Sequence, residues 1–260
     1  MKIMTWNINR FGGVWDWYKE KKDSDESCRR KIAEKIISYL VQSIPNEDDV
    51  VVLQEFPCYG WDDGKIIIEC DEYTKWESLF KEKGLKVLEP YGKGLNRTVA
   101  VVPNKERIRI WKKAYGDDCK ISFKDGYYNK YIELSKELKI LGIHLTSSSV
   151  LLPSLYGMGE SDRPDLILGD FNSGDYVIGD RWDAGREYER QQYRKLINEY
   201  GYTDICGGVI TDHVTKSSID HCLIKDSVLI RYEIENVYVE ENKKDLSDHY
   251  PIIAEIKKKF

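Results

Sequence analysis

Residues 165–172 read Asp165-Leu166-Ile167-Leu168-Gly169-Asp170-Phe171-Asn172. A short apolar run closed by a glycine, an aspartate and an asparagine is a buried strand that ends in polar groups. The same pattern recurs along the chain. Val50-Val51-Val52-Leu53 runs into Gln54-Glu55, and Ile140-Leu141-Gly142-Ile143 runs into His144. A first strand, residues 2–8, carries Asn7 near its end. Asp220 interrupts the apolar segment around Ile219, Cys222, Leu223 and Ile224, and Asp248-His249 precede Tyr250-Pro251-Ile252-Ile253. Side by side, these strands would bring three or four carboxylates, two amides and two histidines to one rim.

Outward from these strands, Ile32, Ile36, Ile37 and Leu40 have helical spacing within 28–43. A second helix is expected from Tyr73 to Lys83, ended by Gly84, and a third over 186–200, stopped by Gly201. Further strands are expected near 85–89, 97–103, 107–114, 127–135, 138–144, 217–224, 229–239 and 250–257. Many strands with few helices between them predict an α/β chain of two packed sheets flanked by helices, not a doubly wound parallel sheet. No internal repeat or linker-like tract divides residues 1–260, so one domain is expected.

Hydrophobic residues make up 41 % of the 260, enough for a substantial core. No stretch approaches the roughly 20 apolar residues that cross a bilayer, and the start of the chain lacks the features of a signal peptide, so the expected address is the cytoplasm. The net charge of −5 argues against tight non-specific grasp of nucleic acid, though a bound cation can supply local positive charge. Six cysteines without a C-x-x-C pair speak against structural zinc and read as free thiols.

Oxygen ligands without cysteine suit a hard ion, Mg²⁺ or Mn²⁺, which polarises a phosphoryl oxygen. A histidine beside a carboxylate can move a proton. Taken singly, each group has a bland reading. Asp170-Phe171-Asn172 could be an Asx turn, and His144 a core or edge histidine. No role is assigned to His213 or His221. Only the joint pattern carries weight.

In their order, six blocks resemble the endonuclease/exonuclease/phosphatase superfamily, with its deoxyribonuclease I-like fold. They are Thr5-Trp6-Asn7-Ile8-Asn9, Leu53-Gln54-Glu55, Gly142-Ile143-His144-Leu145, Leu168-Gly169-Asp170-Phe171-Asn172, Ser218-Ile219-Asp220-His221-Cys222-Leu223 and Leu246-Ser247-Asp248-His249-Tyr250-Pro251. The resemblance implies a four-layer sandwich of two mostly antiparallel β-sheets flanked by helices. It also implies a Mg²⁺-dependent phosphoric ester hydrolase, with Mn²⁺ as the alternative ion. By the same resemblance Glu55 is the main metal ligand with Asn7 beside it, and Asp248 is a further carboxylate on the metal side. Asp170 and Asn172 orient or activate the attacking water. His249, oriented by Asp220, contacts the scissile phosphate, and His144 protonates the leaving oxygen or stabilises phosphoryl charge. Whether Asp170 or His249 takes the water proton stays open. The His144 block differs from the Asn-x-Tyr-x-Pro-Asn of the abasic-site branch, which places the chain with the two-histidine group. No carboxylate supporting His144 is identified; Glu89 is a candidate. The Ser/Leu/Gly-rich stretch 146–164 stands where the family often has a helix, so a trimmed outer layer is expected.

The loops 9–27, 56–72, 146–164 and 173–186 are expected to select the substrate. Trp15, Trp17 and Tyr18 in the first, and Tyr176, Arg181, Trp182 and Arg186 in the last, could stack bases and hold phosphates. Packing of Trp15 and Trp17 onto the body is the equal alternative. Arg97, Trp182 and Arg186 are the substrate-binding candidates. A nucleic-acid or nucleotide phosphodiester is the first expectation, cut by a monomer without membrane contact. A small phosphorylated metabolite, inositol phosphate or lipid headgroup is the second, and a non-catalytic binding module is a remote third.

Overall fold

Apolar runs buried on both faces impose a layered molecule, and the structure, a computed structural model, shows the layers. It describes residues 1–14, 26–62, 65–88, 96–103, 109–110, 131–135, 138–145, 159–173 and 187–259. The elements in chain order are β1 (Lys2–Asn7), α1 (Glu26–Ser43), β2 (Val50–Pro57), β3 (Tyr59–Asp62), β4 (Lys65–Asp71), α2 (Glu72–Glu82), β5 (Leu85–Leu88), β6 (Asn96–Pro103) and β7 (Arg109–Ile110). There follow β8 (Tyr131–Ser135), β9 (Lys139–His144), β10 (Leu166–Asp170), α3 (Glu187–Tyr200), β11 (Tyr202–Asp204), β12 (Asp220–Lys225), α4 (Asp226–Leu229), β13 (Tyr232–Val239) and β14 (Ile252–Lys258).

Among the described residues there are two six-stranded sheets, ordered β13-β14-β1-β2-β6-β5 and β11-β12-β10-β9-β8-β7, and a separate β3-β4 hairpin. Each large sheet is antiparallel except for one parallel pair at its centre, β1 with β2 and β9 with β10. Parallel pairing puts the C-terminal ends of both strands at the same edge. That single fact later decides where the polar residues meet.

The side-chain period of two sorts each strand. Ile3, Val50, Val52, Ala100, Ile252 and Ala254 of the first sheet pack against Ile140, Leu166, Leu168, Cys222 and Ile224 of the second, forming the central core. Alternate residues Met4, Trp6, Val51, Leu53, Val99 and Val101 face outward onto Ile36, Ile37 and Leu40 of α1 and Trp76 and Phe80 of α2. α3 buries Tyr193 and Leu196, and Tyr193 lies against the outer face of the second sheet. This is the helix–sheet–sheet–helix sandwich expected. α2 stops at Gly84, whose φ of 76° is the left-handed end that glycine tolerates best.

Two local expectations need correction, and a third falls largely outside the described residues. The stretch 56–72 is not a loop: β2 runs on to Pro57 and the β3–β4 hairpin follows, because Ile66, Ile67 and Ile68 are strand formers that the turn residues around them obscure. The strand expected at 217–224 starts only at Asp220, since Asp212 to Ser217 close a turn through paired backbone hydrogen bonds. Of the strand expected at 107–114, Arg109–Ile110 is described as β7, and 107–108 and 111–114 lie outside the described residues.

Candidate active site

Period two also explains why the polar strand ends converge. Asn7 has the parity of Ile3 and Thr5, Asp170 that of Leu166 and Leu168, His144 that of Ile140, and Asp220 that of Cys222 and Ile224. All four therefore point between the sheets. In the second sheet Asp170 pairs with His144 on one side and Asp220 on the other. In the first, Asn7 pairs with Gln54. Across the gap, Asn7 Nδ2 donates to Asp170 Oδ2 at 3.1 Å, so the two sheets touch through this bond.

Glu55 has the wrong parity and is corrected by a bulge. The pairing of β2 with β6 slips between Leu53 and Phe56, and Glu55 adopts φ 54°. A β-bulge of this kind re-aims a side chain. Gln54 stays inward on Thr5, and Glu55 swings round to the same rim. There Asn7 Nδ2 donates weakly to its Oε1 at 3.4 Å, and His144 Nε2 stands 3.9 Å away.

His249 is 7 % exposed, and its Nδ1 lies 2.8 Å from Asp220 Oδ2. The segment before β14 is fastened to β1 twice. Trp6 Nε1 donates to the His249 carbonyl at 2.9 Å, and Ser247 Oγ donates to the Asn7 carbonyl at 2.7 Å. Asp248 accepts from Ser247 Oγ at 3.1 Å and from Asn9 Nδ2 at 3.4 Å. His144 Nε2 is 3.7 Å from Asp170 Oδ2, within ion-pair range but beyond hydrogen-bond length. Asn172, at φ 50°, donates its backbone N–H to Asp170 Oδ1 at 2.7 Å and its amide to the Leu145 carbonyl at 2.7 Å. Gly169 is obligatory here. Its φ is 145°, and a Cβ would lie 1.9 Å from the Ile143 carbonyl oxygen.

The electrostatics follow from crowding. Burial and the neighbouring Asp220 carboxylate push Asp170 up to about 7. Burial opposes charge on His249, yet Asp220 overrides it and raises the imidazole well above its ordinary value. Burial also raises Asp248, with Glu55 adding to the effect against His249. The rim is short of positive charge.

That shortage, and the donor set, fit a divalent cation. Asp170, Asp220 and His249 each offer a ligand atom within 4.8 Å of the others. Asp220 Oδ1 is buried with no hydrogen-bond partner among the described residues. Glu55, Asn7 and Asp248 supply further oxygens at the same rim.

Two residues without a role from sequence belong here. Asn9, at φ 42°, donates its side-chain amide to Asp248 and its backbone N–H to Asn7 Oδ1 at 3.0 Å. Thr211 Oγ1 accepts the N–H groups of Ile219 and Asp220 at 3.1 and 3.0 Å, setting the start of β12. The second asparagine of the Thr5–Asn9 block was the visible signal for the first; Thr211 had none. Of the substrate candidates, Arg97 lies in β6 opposite Phe56, with its side chain outside what the structure describes. Trp182 and Arg186 lie outside the described residues, as do Trp15, Trp17, Tyr18, Tyr176, Arg181 and Glu89.

No family model and no curated protein matches the sequence. Solved structures do match the fold. An AP endonuclease from Archaeoglobus fulgidus aligns with TM-score 0.64 at 16 % identity, over 98 % of each chain. The 3'-5' exonuclease NExo from Neisseria meningitidis aligns with TM-score 0.61 at 18 % identity, over 98 % of this chain and 99 % of that one. D. rerio TDP2, complexed with a single-strand DNA product, aligns with TM-score 0.55 at 14 % identity, over 99 % and 98 %. At such identities the likeness is one of fold, and the fold is the deoxyribonuclease I-like sandwich of endonuclease/exonuclease/phosphatase proteins.

Proposed function

We propose that the chain is a Mg²⁺-dependent phosphodiesterase of the two-histidine type, with Mn²⁺ as the alternative ion, acting on nucleic-acid or nucleotide phosphodiesters. The observation that carries this reading is the convergence of Asn7, Glu55 and, from the segment leading into β14, His249 on the side of one sheet with His144, Asp170 and Asp220 from the other. The nuclease neighbours of the fold support it.

Glu55, Asn7 and Asp248 would hold the ion, with the Asp170–Asp220 side of the rim as the alternative seat. When bound, it polarises a phosphoryl oxygen and offsets the charge that develops there. The residues of the chain do the rest. His249, kept protonated by Asp220, hydrogen-bonds a phosphoryl oxygen. Asp170, with its pKa near neutrality, accepts the proton of the attacking water. Asn172 holds Asp170 in place through its backbone N–H. His144 donates to the leaving oxygen. Arg97, Trp182 and Arg186 are the proposed substrate contacts.

A net charge of −5 favours a second reading, a phosphatase or phosphodiesterase for a small phosphorylated metabolite, inositol phosphate or lipid headgroup. One set of assays separates the readings. Plasmid, single-stranded DNA, RNA and bis-nitrophenyl phosphate are incubated with Mg²⁺, Mn²⁺ or EDTA. Metal-dependent turnover is expected, falling by at least ~10²-fold in His249→Ala. Turnover that ignores EDTA, or a His249→Ala variant equal to wild type, refutes the phosphodiesterase. Phosphate release from monoesters alone moves the assignment to the second reading. Unchanged metal affinity in Glu55→Gln would refute Glu55 as a ligand.

A further inference from the structure

A second histidine–aspartate pair lies buried behind the rim, on the outer face of the second sheet. His221 follows Asp220 in β12 and so points the opposite way. It is 1 % exposed. Its Nδ1 lies 2.7 Å from Asp204 Oδ2, and its Nε2 lies 2.7 Å from the Ser173 carbonyl oxygen. A carboxylate and a carbonyl only accept, so both ring nitrogens donate. Asp204 is saturated from other sides by the Tyr193 hydroxyl at 2.7 Å, the Cys206 N–H at 3.1 Å and the Cys206 thiol at 3.3 Å. Phe171 stands edge-on to the imidazole at 5.2 Å, and Tyr193 covers it at 4.5 Å.

Ser173 closes the turn that carries Asp170 and Asn172. That turn contains a left-handed asparagine, a conformation that persists only where its surroundings over-determine it. Part of the restraint is internal, from Asn172 N–H to Asp170 and from Ser173 Oγ to the Phe171 carbonyl at 3.2 Å. Part ties the turn sideways to its neighbours, from Phe171 N–H to the Ile219 carbonyl at 2.8 Å and from Asn172 Nδ2 to the Leu145 carbonyl at 2.7 Å, and the His221 bond holds its Ser173 end from the outer face. Hydrogen bonds from a charged donor are roughly twice as strong as neutral ones. A buried ion pair is seldom the most stable filling for a core, since apolar side chains of equal volume do as well or better. What it adds over them is direction.

We infer that His221, anchored by Asp204, is a positioning residue: a latch that grips the Ser173 carbonyl and so sets where Asp170 and Asn172 present their oxygens. The kinetic consequence rests on the phosphodiesterase reading; the latch itself does not.

The test uses the full chain, with His221→Phe and His221→Gln beside wild type. Phenylalanine keeps the ring packing and removes both donors, while glutamine restores one. Against bis-nitrophenyl phosphate at saturating Mg²⁺, His221→Phe is expected to lose roughly ten- to a hundredfold in kcat. KM should stay within about twofold, because ground-state binding is untouched. His221→Gln should recover most of the loss. Amide exchange at Phe171 and Asn172 should rise at least about tenfold in His221→Phe while β1 amides hold, as expected of a local opening. A folded His221→Phe with wild-type kcat, equal defects in both variants, or unchanged exchange at Asn172 would overturn the latch. If His221→Phe does not fold, nitrogen NMR of wild type decides: two protonated ring nitrogens on His221 are expected, and one alone overturns it. If wild type turns over no phosphate ester, the functional reading fails, and the exchange and NMR results still judge the latch.

Discussion

Glu55 is held most plainly against local backbone preference. Its left-handed backbone costs roughly 1–2 kcal/mol for an L-residue, and its carboxylate adds charge to a rim already crowded with Asp170, Asp220 and Asp248. Asparagine tolerates that backbone and carries no charge. Glu55→Asn is therefore expected to raise the unfolding free energy by roughly 1 kcal/mol while abolishing metal-dependent turnover. Urea denaturation alongside the phosphodiester assay checks both halves; a variant less stable than wild type would show that the strain is not where the dihedral places it. Gly169 makes the opposite case. No shift of a flexible side chain can admit its Cβ, because the obstacle is the backbone of β9. Gly169→Ala should cost roughly 2–4 kcal/mol and displace Asp170 from His144, read as a lower urea midpoint and lost activity.

At the level of elements, legibility depended on period and length. Most strands of five to eight residues with apolar runs announced themselves, and so did their polar ends; β4, with Ile66 to Ile68 set among turn residues, did not. Asp170 and Asn172 were visible because they follow a hydrophobic run, and Asp248 and His249 because they precede one. β11 is three residues long, too short for any periodicity, so Asp204 had no visible partner and His221 read as idle. The bulge at Glu55 was equally silent, since a register slip is a property of two strands and not of either one. Asp204 joins β11, β12 and α3, and its titration reports their union. Burial alone would raise it, but the His221 charge holds it down at about 2 in the fold. The stabilisation, about 2 kcal/mol, is complete above the unfolded aspartate range near pH 4 and is lost as pH falls through about 2. The stability gap between wild type and Asp204→Asn should therefore be flat between about pH 4 and the ordinary histidine range, closing below it as Asp204 takes a proton and narrowing above it as His221, raised by Asp204, gives one up. Urea titrations at several pH values measure this, and a gap that widens as pH falls below about 4 would contradict the assigned state.

Across the whole molecule, the site is the seam between two sheets. The central core holds them together along most of their length, but at the rim the contact passes to polar groups, with Asn7 reaching Asp170 and His144 standing off Glu55. Here four carboxylates gather in a chain of net charge −5, and the protonation of His249 and the raised Asp170 offset part of their repulsion. A divalent ion at the rim would do the same without holding protons, and would bridge groups contributed by both sheets. It would bind the folded chain and not the unfolded one, so it should stabilise by mass action. At a hundred times its dissociation constant the gain is about 2.7 kcal/mol, which for a chain of this size corresponds to a Tm rise of roughly 5 °C or more. Mg²⁺ or Mn²⁺ should raise Tm in a concentration-dependent way, EDTA should reverse it, and Glu55→Gln should blunt it. Ca²⁺, larger and less exacting in geometry, serves as the comparison ion. A Tm indifferent to all three ions would show that this seam is held by protons alone, and the chain's chemistry would then have to be sought without a metal.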